Sequence, residues 1–520
     1  MAEVKIPVFK GMFEDQSGIG ASVGEKRIIN GFVDQFGFIN KRPAFTSANL
    51  NSAGGTTYGT KSIYAVYFLQ NASTTQRANK FLILAADTTT VYVYEGDIYS
   101  GDSLVSKDGI SSINVVAEVT FAVSNASSSL KFRPPKFAEG TTSTNAASVY
   151  VCFNGFVYEF YDTNLGTYAD VTASTASAAI IDVAFINKRL IQIEIGTSNI
   201  YYSATGDPTD FTVASGGGSF QAETQSDRPF RIMADGNDLS IFGANSLDMY
   251  YDTGDATTPF ARYNGSEIKI GLAYPDAMTN VDGIYYFMGG DFAIYKLRGR
   301  EPVPISAPID KYLKNMRDLF HVMTSSIKVE GHSFVIFTFP TVLSIDAPYV
   351  ADNTPPGVTF VYHINMDKWY IWSDGSTLAA MTIRGSSSSK VSGFSYVADS
   401  SASALRTPRL DTGYSSNKED LVVTSANISL DTNMRKASKS LTARMKGAVG
   451  PTIKHREGPD SDVTWASSTD IAVTITDVSG ELMRIRRLGQ YRVRQYQVTH
   501  TDNSAFSFGD MTEEVEVLGS

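Results

Sequence analysis

The feature that most constrains this chain is a rhythm: a short aromatic or β-branched run, a polar turn, another run, sustained from about residue 61 to 399. Runs at 62–69, 81–85 and 91–95, 149–154 and 156–161, and 181–186 and 190–195 set the pattern. It continues at 239–242 and 247–251, 284–288 and 293–297, 334–339, and 359–364 and 368–372. Asn154-Gly155 and Gly289-Gly290-Asp291 stand between such runs and suit hairpin turns with positive φ. Helical spacing is confined to 308–320, where Ile309, Tyr312, Leu313, Met316 and Phe320 follow Pro308. At roughly 40–50 residues per four-stranded blade, this stretch predicts an all-β fold, a β-propeller of about six to eight blades. A pair of β-sandwiches is the alternative.

The flanks read differently. Residues 1–60 form an arm and linker: Gly18, Gly20 and Gly24 break its start, and 47–60 is rich in Ser, Gly and Thr. Residues 400–520 carry longer strand-like segments at 422–430, 440–446, 471–476, 482–488, 491–499 and 513–518. They predict a small additional β domain, completed by the N-terminal arm. The propeller then occupies 61–399. The polar stretches 124–148, 342–357 and 400–418 read as loops, the second broken by Pro348, Pro355 and Pro356.

Composition excludes several function classes. Hydrophobic residues make up 42% and charged ones 19%, so a packed core is expected. The net charge of −10 runs against a chain that grips nucleic acid, which needs a basic footprint. The single cysteine, Cys152, rules out a disulfide framework and a cysteine zinc cluster. Its place in the run 149–153 makes it a buried, inert thiol. Neither a signal peptide nor an apolar run of membrane-spanning length is read, so assembly in a reducing cytoplasm is expected. His321, His332, His363, His455 and His500 fall in no metal-ligand spacing. No nucleophile elbow or phosphate loop occurs, and Gly216-Gly217-Gly218 runs into Ser-Phe-Gln as a loop. Ser373-Asp374-Gly375-Ser376-Thr377 occurs once and lacks the spacing of a sialidase box. No catalytic, cofactor-binding or metal-binding residue is singled out, and the chain reads as a non-enzyme. A glycan-binding or glycan-cleaving propeller is the alternative, because paired carboxylates cannot be read from spacing.

The sharpest charge feature is the band holding Arg484, Arg486, Arg487, Arg492 and Arg494. On a strand, Arg484 and Arg486 share a face, as do Arg492 and Arg494. Either this is a solvated face balanced by Glu513, Glu514 and Glu516, or it is a basic band at a subunit interface. The interface is the favoured reading.

Patches in a shared order resemble the packaged-DNA stabilisation proteins of short-tailed phages of the lambdoid Salmonella type, also described as tail nozzle or hub proteins. The strongest is Gly331-His332-Ser333-Phe334-Val335-Ile336-Phe337-Thr338-Phe339-Pro340, followed by 359–364 and Asp367-Lys368-Trp369-Tyr370. Val335 departs from an aromatic there, and the 341–358 insert is long. Further patches lie at 282–287, 293–296, 304–310, 189–190, 201–203, 206–208 and 487–492. Residues 30–43 resemble the family's N-terminal region, with departures at Phe36-Gly37 and Pro43-Ala44. The resemblance implies a virion protein: six copies in a ring below the portal and adaptor, retaining packaged DNA and lining the ejection channel. It implies partners in the adaptor, a tail fibre or tailspike, and a tail needle or plug, with transient contact to double-stranded DNA. At −10 per copy, six copies carry a formal −60, and an acidic lumen would let DNA slide without sticking.

Overall fold

The computed structural model describes residues 3–7, 27–42, 44–52, 61–70, 79–97, 112–124, 126, 133–144, 146–161, 168–222, 227–255, 258–265, 268–314, 322–329, 331–339, 358–373, 389–391, 394–399, 404–408, 420–425, 428, 434–457, 471–475 and 480–518. Six blades of four antiparallel strands follow one another. Blade I comprises Ser62–Gln70, Asn79–Ala86, Thr90–Asp97 and Ser112–Ala122. Blade II comprises Lys136–Thr141, Ala147–Phe153, Phe156–Tyr161 and Tyr168–Asp170. Blade III comprises Ile180–Ile186, Arg189–Glu194, Asn199–Tyr202 and Gly218–Gln221, and blade IV Pro229–Asp235, Asp238–Gly243, Leu247–Asp252 and Phe260–Arg262. Blade V comprises Met278–Val281, Ile284–Met288, Ile294–Arg298 and Glu301–Pro304, and blade VI Met323–Val329, His332–Phe339, Val358–His363 and Lys368–Trp372. The chain is the all-β propeller that its rhythm predicts.

The strands read as continuous apolar runs because each blade is buried on both faces. In Ala147–Phe153, Val149, Val151 and Phe153 pack on blade I, while Tyr150 and Cys152 pack on blade III. Likewise Leu239 and Ile241 face blade III and Phe242 faces blade V. The core is therefore a circle of separate apolar wedges between neighbouring blades. Burying each such side chain stabilises by about 1.5–3 kcal/mol.

The circle is closed by a small hairpin, Ser389–Val391 with Phe394–Tyr396, set between blades VI and I. Tyr396 and Ala398 pack on Ile63, Phe81 and Ile83 of blade I. On the other side the Ser395 hydroxyl accepts from Lys328 N at 2.8 Å and donates to Lys328 O at 3.2 Å.

The C-terminal domain is two sheets over one core. One runs Gly31–Val33, Ile39–Lys41, Phe506–Val517, Lys436–Gly447, Glu481–Arg486, with Glu3–Pro7 also on Phe506–Val517. The other continues blade VI: beyond Lys368–Trp372 come Arg27–Ile29, Leu421–Thr424, Arg494–His500, Thr452–Glu457 and Ile471–Ala472. Leu441, Met445, Phe508 and Val515 meet Val423, Ile453, Tyr496 and Val498 between them. The N-terminal arm thus supplies strands to this domain.

Several local readings are corrected. Phe45–Ser52, placed partly in a linker, is a strand, parallel to Ser112–Ala122 and antiparallel to Ala404–Pro408, itself inside the stretch read as a loop. These strands extend blade I outwards through backbone hydrogen bonds, which polar sequence can supply. Residues 53–60 lie outside the described residues. Lys136–Thr141, within the loop assigned to 124–148, is the innermost strand of blade II. The 342–357 stretch lies outside the described residues. In 308–320 the helix covers Asp310–Lys314 after a 3-10 turn at Ala307–Ile309, with Ile309 and Leu313 buried against blade VI. Residues 315–320 lie outside the described set.

Asn154 and Gly155 take positive φ (52° and 87°) as their turn requires, but in the Gly289-Gly290-Asp291 turn the left-handed residue is Phe292 (67°), not a glycine. Gly271 has a different reason to be glycine: a Cβ there would stand 2.2 Å from the Ala244 carbonyl carbon, between blades IV and V. Backbone cannot yield as a side-chain tip does. Gly271→Ala is expected to destabilise by about 1–3 kcal/mol, read as a lowered melting temperature.

Candidate functional site

Three features outside the apolar wedges bear on function: the propeller axis, the joint to the C-terminal domain, and the arginine band. The first strand of each blade is innermost, since these strands neighbour one another around the ring. Three of them carry a β-bulge near the same end, after Ile63, Ile180 and Pro229. A bulge re-aims side chains, and in blades III and IV the next paired residues are Asp182 and Arg231. Arg231 Nη1 stands 3.4 Å from Asp182, whose other oxygen accepts from Ile232 N at 2.8 Å. Lys136 of blade II forms an ion pair with Asp276 of blade V, both buried. That pair joins non-adjacent blades, so it crosses the axis. Burial, then the field of Arg231, push the Lys136 pKa well down, while Asp182 opposes them. The axis is plugged by charge. Cys152 lies beside this cluster, buried, with its thiol pushed up first by burial and then by Asp182.

The joint is a buried knot. Asn30, at φ 54°, accepts from Arg42 Nε (3.0 Å) and Ser373 N (2.8 Å), while Arg42 Nη2 donates to Ser373 O at 2.6 Å. The guanidinium lies 5.5 Å from the centroids of both Phe45 and Trp372, and Trp372 Nε1 donates to Gly31 O. These bonds fix the arm against the last strand of blade VI.

Beside the knot, His332 Nδ1 sits 3.2 Å from His363 Nε2, with Phe32 and Phe334 around them. Burial, then His332, push His363 down to about 4 from 6.5. Burial, then Lys41, push His500 down to about 4 as well. Below about pH 6.5 the unfolded chain takes up protons that these folded imidazoles refuse. The contribution of these histidines is therefore expected to fall between about pH 6.5 and 4, by up to about 1.4 kcal/mol per histidine per pH unit, and then to level off. Melting temperatures across that range check this, and His363→Gln should flatten the profile.

The arginine band divides. Arg484 and Arg486 are exposed on Glu481–Arg486, with Met483 and Ile485 turned inwards. Arg484 pairs with Glu514 at 3.3 Å. Arg487, at φ 65°, and Arg492 are also exposed. Arg494 is not an interface residue: it is fully buried, bonded to Glu457 at 2.8 Å and Leu488 O at 2.7 Å, 3.5 Å from Glu513, with its guanidinium 4.1 Å from the Tyr491 ring centroid. The chain bends at Arg492 and Val493, so Arg492 and Arg494 do not share a face. The acidic residues noted as neighbours do form pairs, Glu516 with Lys439 among them. No sequence signal separates Arg494 from its neighbours.

A cleft of about 610 Å³ between blades III and IV is lined by Asn199, Ser219, Phe220, Gln221, Tyr250, Phe260 and Arg262. None of these is a carboxylate, so the described residues of the cleft hold no acid pair of the kind glycoside hydrolysis uses. Among the described residues no three His, Cys, Asp or Glu side chains form a metal-binding group, and no helix is long and apolar enough to cross a membrane.

No curated protein matches this sequence. Among solved structures, the WD40 β-propeller domain of Doa1 is similar at TM-score 0.38 and 9% identity, over 71% of this chain and 97% of that one. The extracellular domain of the putative one-component system BT4673 from B. thetaiotaomicron is similar at TM-score 0.38 and 10% identity, over 78% and 45%. A family profile described as bacteriophage P22 Gp10, β-propeller, matches residues 100–369, just over half of the chain. That match spans blades II to V in full and blade VI up to its last strand, and with it this chain belongs to the phage-stabilisation family of P22 Gp10.

Proposed function

We propose that this protein is a structural subunit of a short-tailed phage tail, that six copies form a ring below the portal and adaptor, and that the genome leaves through the channel between copies. The observation that carries this reading is the plugged axis: Lys136 and Asp276 meet across it. A propeller whose own hole is closed offers DNA no path within one copy, so passage needs a space enclosed by several. Blades buried on both faces and tied at the hairpin make a stiff wall for such a space. Family membership supports a virion protein that stabilises packaged DNA, working without catalysis or a cofactor. The adaptor on one side, and a fibre or tailspike and a plug on the other, are its partners, with only passing contact to double-stranded DNA.

The test is the mass of the purified chain by light scattering, alone and mixed with the adaptor of the same phage. A species of 56.4 kDa that becomes a six-fold ring on the adaptor supports the reading. A chain that ignores the adaptor and instead binds or cleaves polysaccharide overturns it.

A further inference from the structure

The ring reading leaves open which surfaces join, and two sheet edges of opposite charge answer it. Glu481–Arg486 ends its sheet, pairing among the described residues only with Lys436–Gly447. Among the described residues no strand covers its outer side, whose backbone N–H and C=O groups are a template for another strand. The pairing shows no bulge and the strand holds no proline, two common guards of an edge. Leu482 is 68% exposed beside Arg484 and Arg486. In a chain of net charge −10, such a basic strand complements the protein's own surface.

A ring is built from heterologous contacts, so the mating surface is a different patch of the same chain. Among the outer strands of blades II to V, Glu301–Pro304 is blocked by Pro302 and Pro304. Gly218–Gln221 and Phe260–Arg262 wall the cleft, and the second is itself basic. Tyr168–Asp170 of blade II remains. It exposes Tyr168 and Asp170 and turns Ala169 inwards, the same two-residue period as the basic edge. Tyr168 is braced by Phe121 and Tyr158, with ring centroids 4.8 and 5.6 Å away.

We propose that the Glu481–Arg486 edge of one copy is extended by the Tyr168–Asp170 edge of the next, with Asp170 opposite Arg484. Either strand direction allows that pair and sets Tyr168 against Leu482 or Arg486. Backbone hydrogen bonds hold the two copies, and the charges fix register. The inference rests on the ring reading.

Its test is a charge swap in the full chain, assembled with the adaptor and followed by sedimentation. Asp170→Arg and Arg484→Asp should each raise the concentration at half-assembly about tenfold, and the double variant should return it to within about threefold. Arg486→Asp, which keeps the Arg484–Glu514 pair, should weaken assembly similarly. Melting temperatures separate misfolding from lost contact, since all three side chains are exposed. Correctly folded single variants that assemble like the parent, or a double variant without rescue, overturn the edge pairing while leaving the ring reading intact. A parent chain that stays monomeric beside the adaptor overturns both.

Discussion

Arg494→Ala is expected to destabilise the C-terminal domain by about 3–5 kcal/mol, the usual cost of breaking a buried ion pair from one side. The argument lies in what would be left behind. Glu513 is fully buried, and after the substitution its charge would face only neutral neighbours among the described residues, Tyr496 and the Tyr491 hydroxyl, which donates to it at 2.8 Å. The Leu488 carbonyl would lose its donor, and Tyr491 the cation over its ring. Arg494→Lys keeps the charge but cannot reach Glu457, Leu488 and Glu513 together, because an ammonium is a point donor. It should recover only part of the loss. Denaturant unfolding, with proteolysis to locate the opened region, checks this. An Arg494→Ala protein as stable as the parent would show that the network contributes nothing. By contrast Arg486→Ala, on the open face, should change stability by less than about 0.5 kcal/mol.

The axial pair gives the second large effect, with a sign that depends on how many charges are removed. Lys136→Met strands the Asp276 carboxylate in the middle of the propeller, and Asp276→Leu leaves the Lys136 amine buried without its acidic partner. Each is expected to cost about 3–5 kcal/mol, whereas the double variant should lie within about 1–2 kcal/mol of the parent or above it. The neighbouring Arg231–Asp182 pair stays intact in all three proteins. Thermal unfolding of the four proteins completes the cycle. Additive losses in the double variant would mean that the two groups do not depend on each other, contrary to a pair that spans the axis.

The hairpins were legible in the sequence because each central strand of a blade is apolar on both faces, as Val149-Tyr150-Val151-Cys152-Phe153 shows. Innermost and outermost strands were less so, although 62–69, 181–186 and 368–372 were read. Lys136–Thr141 faces the axis and Tyr168–Asp170 faces solvent, so neither carries an apolar run. Phe45–Ser52 buries Phe45 and Leu50, but its serines and asparagines resemble a linker. The arginine band was visible as charge, but the split between exposed Arg484 and buried Arg494 depends on the bend at Arg492 and Val493. Nothing local announced that Asn30, Arg42 and Ser373, spread over more than three hundred positions, would meet in one knot.

The order in which the chain is made acquires meaning from the pairing of Arg27–Ile29 with Leu421–Thr424, and of Ile39–Lys41 with Phe506–Val517. Strands that leave the ribosome early wait for partners among the last to be synthesised, while each blade meets its neighbour soon after it emerges. The domain bearing the arginine edge can thus form only on a chain translated almost to residue 517. A prematurely terminated chain that had wound most of its propeller would still lack that edge, and with it the contact proposed above to join neighbouring copies.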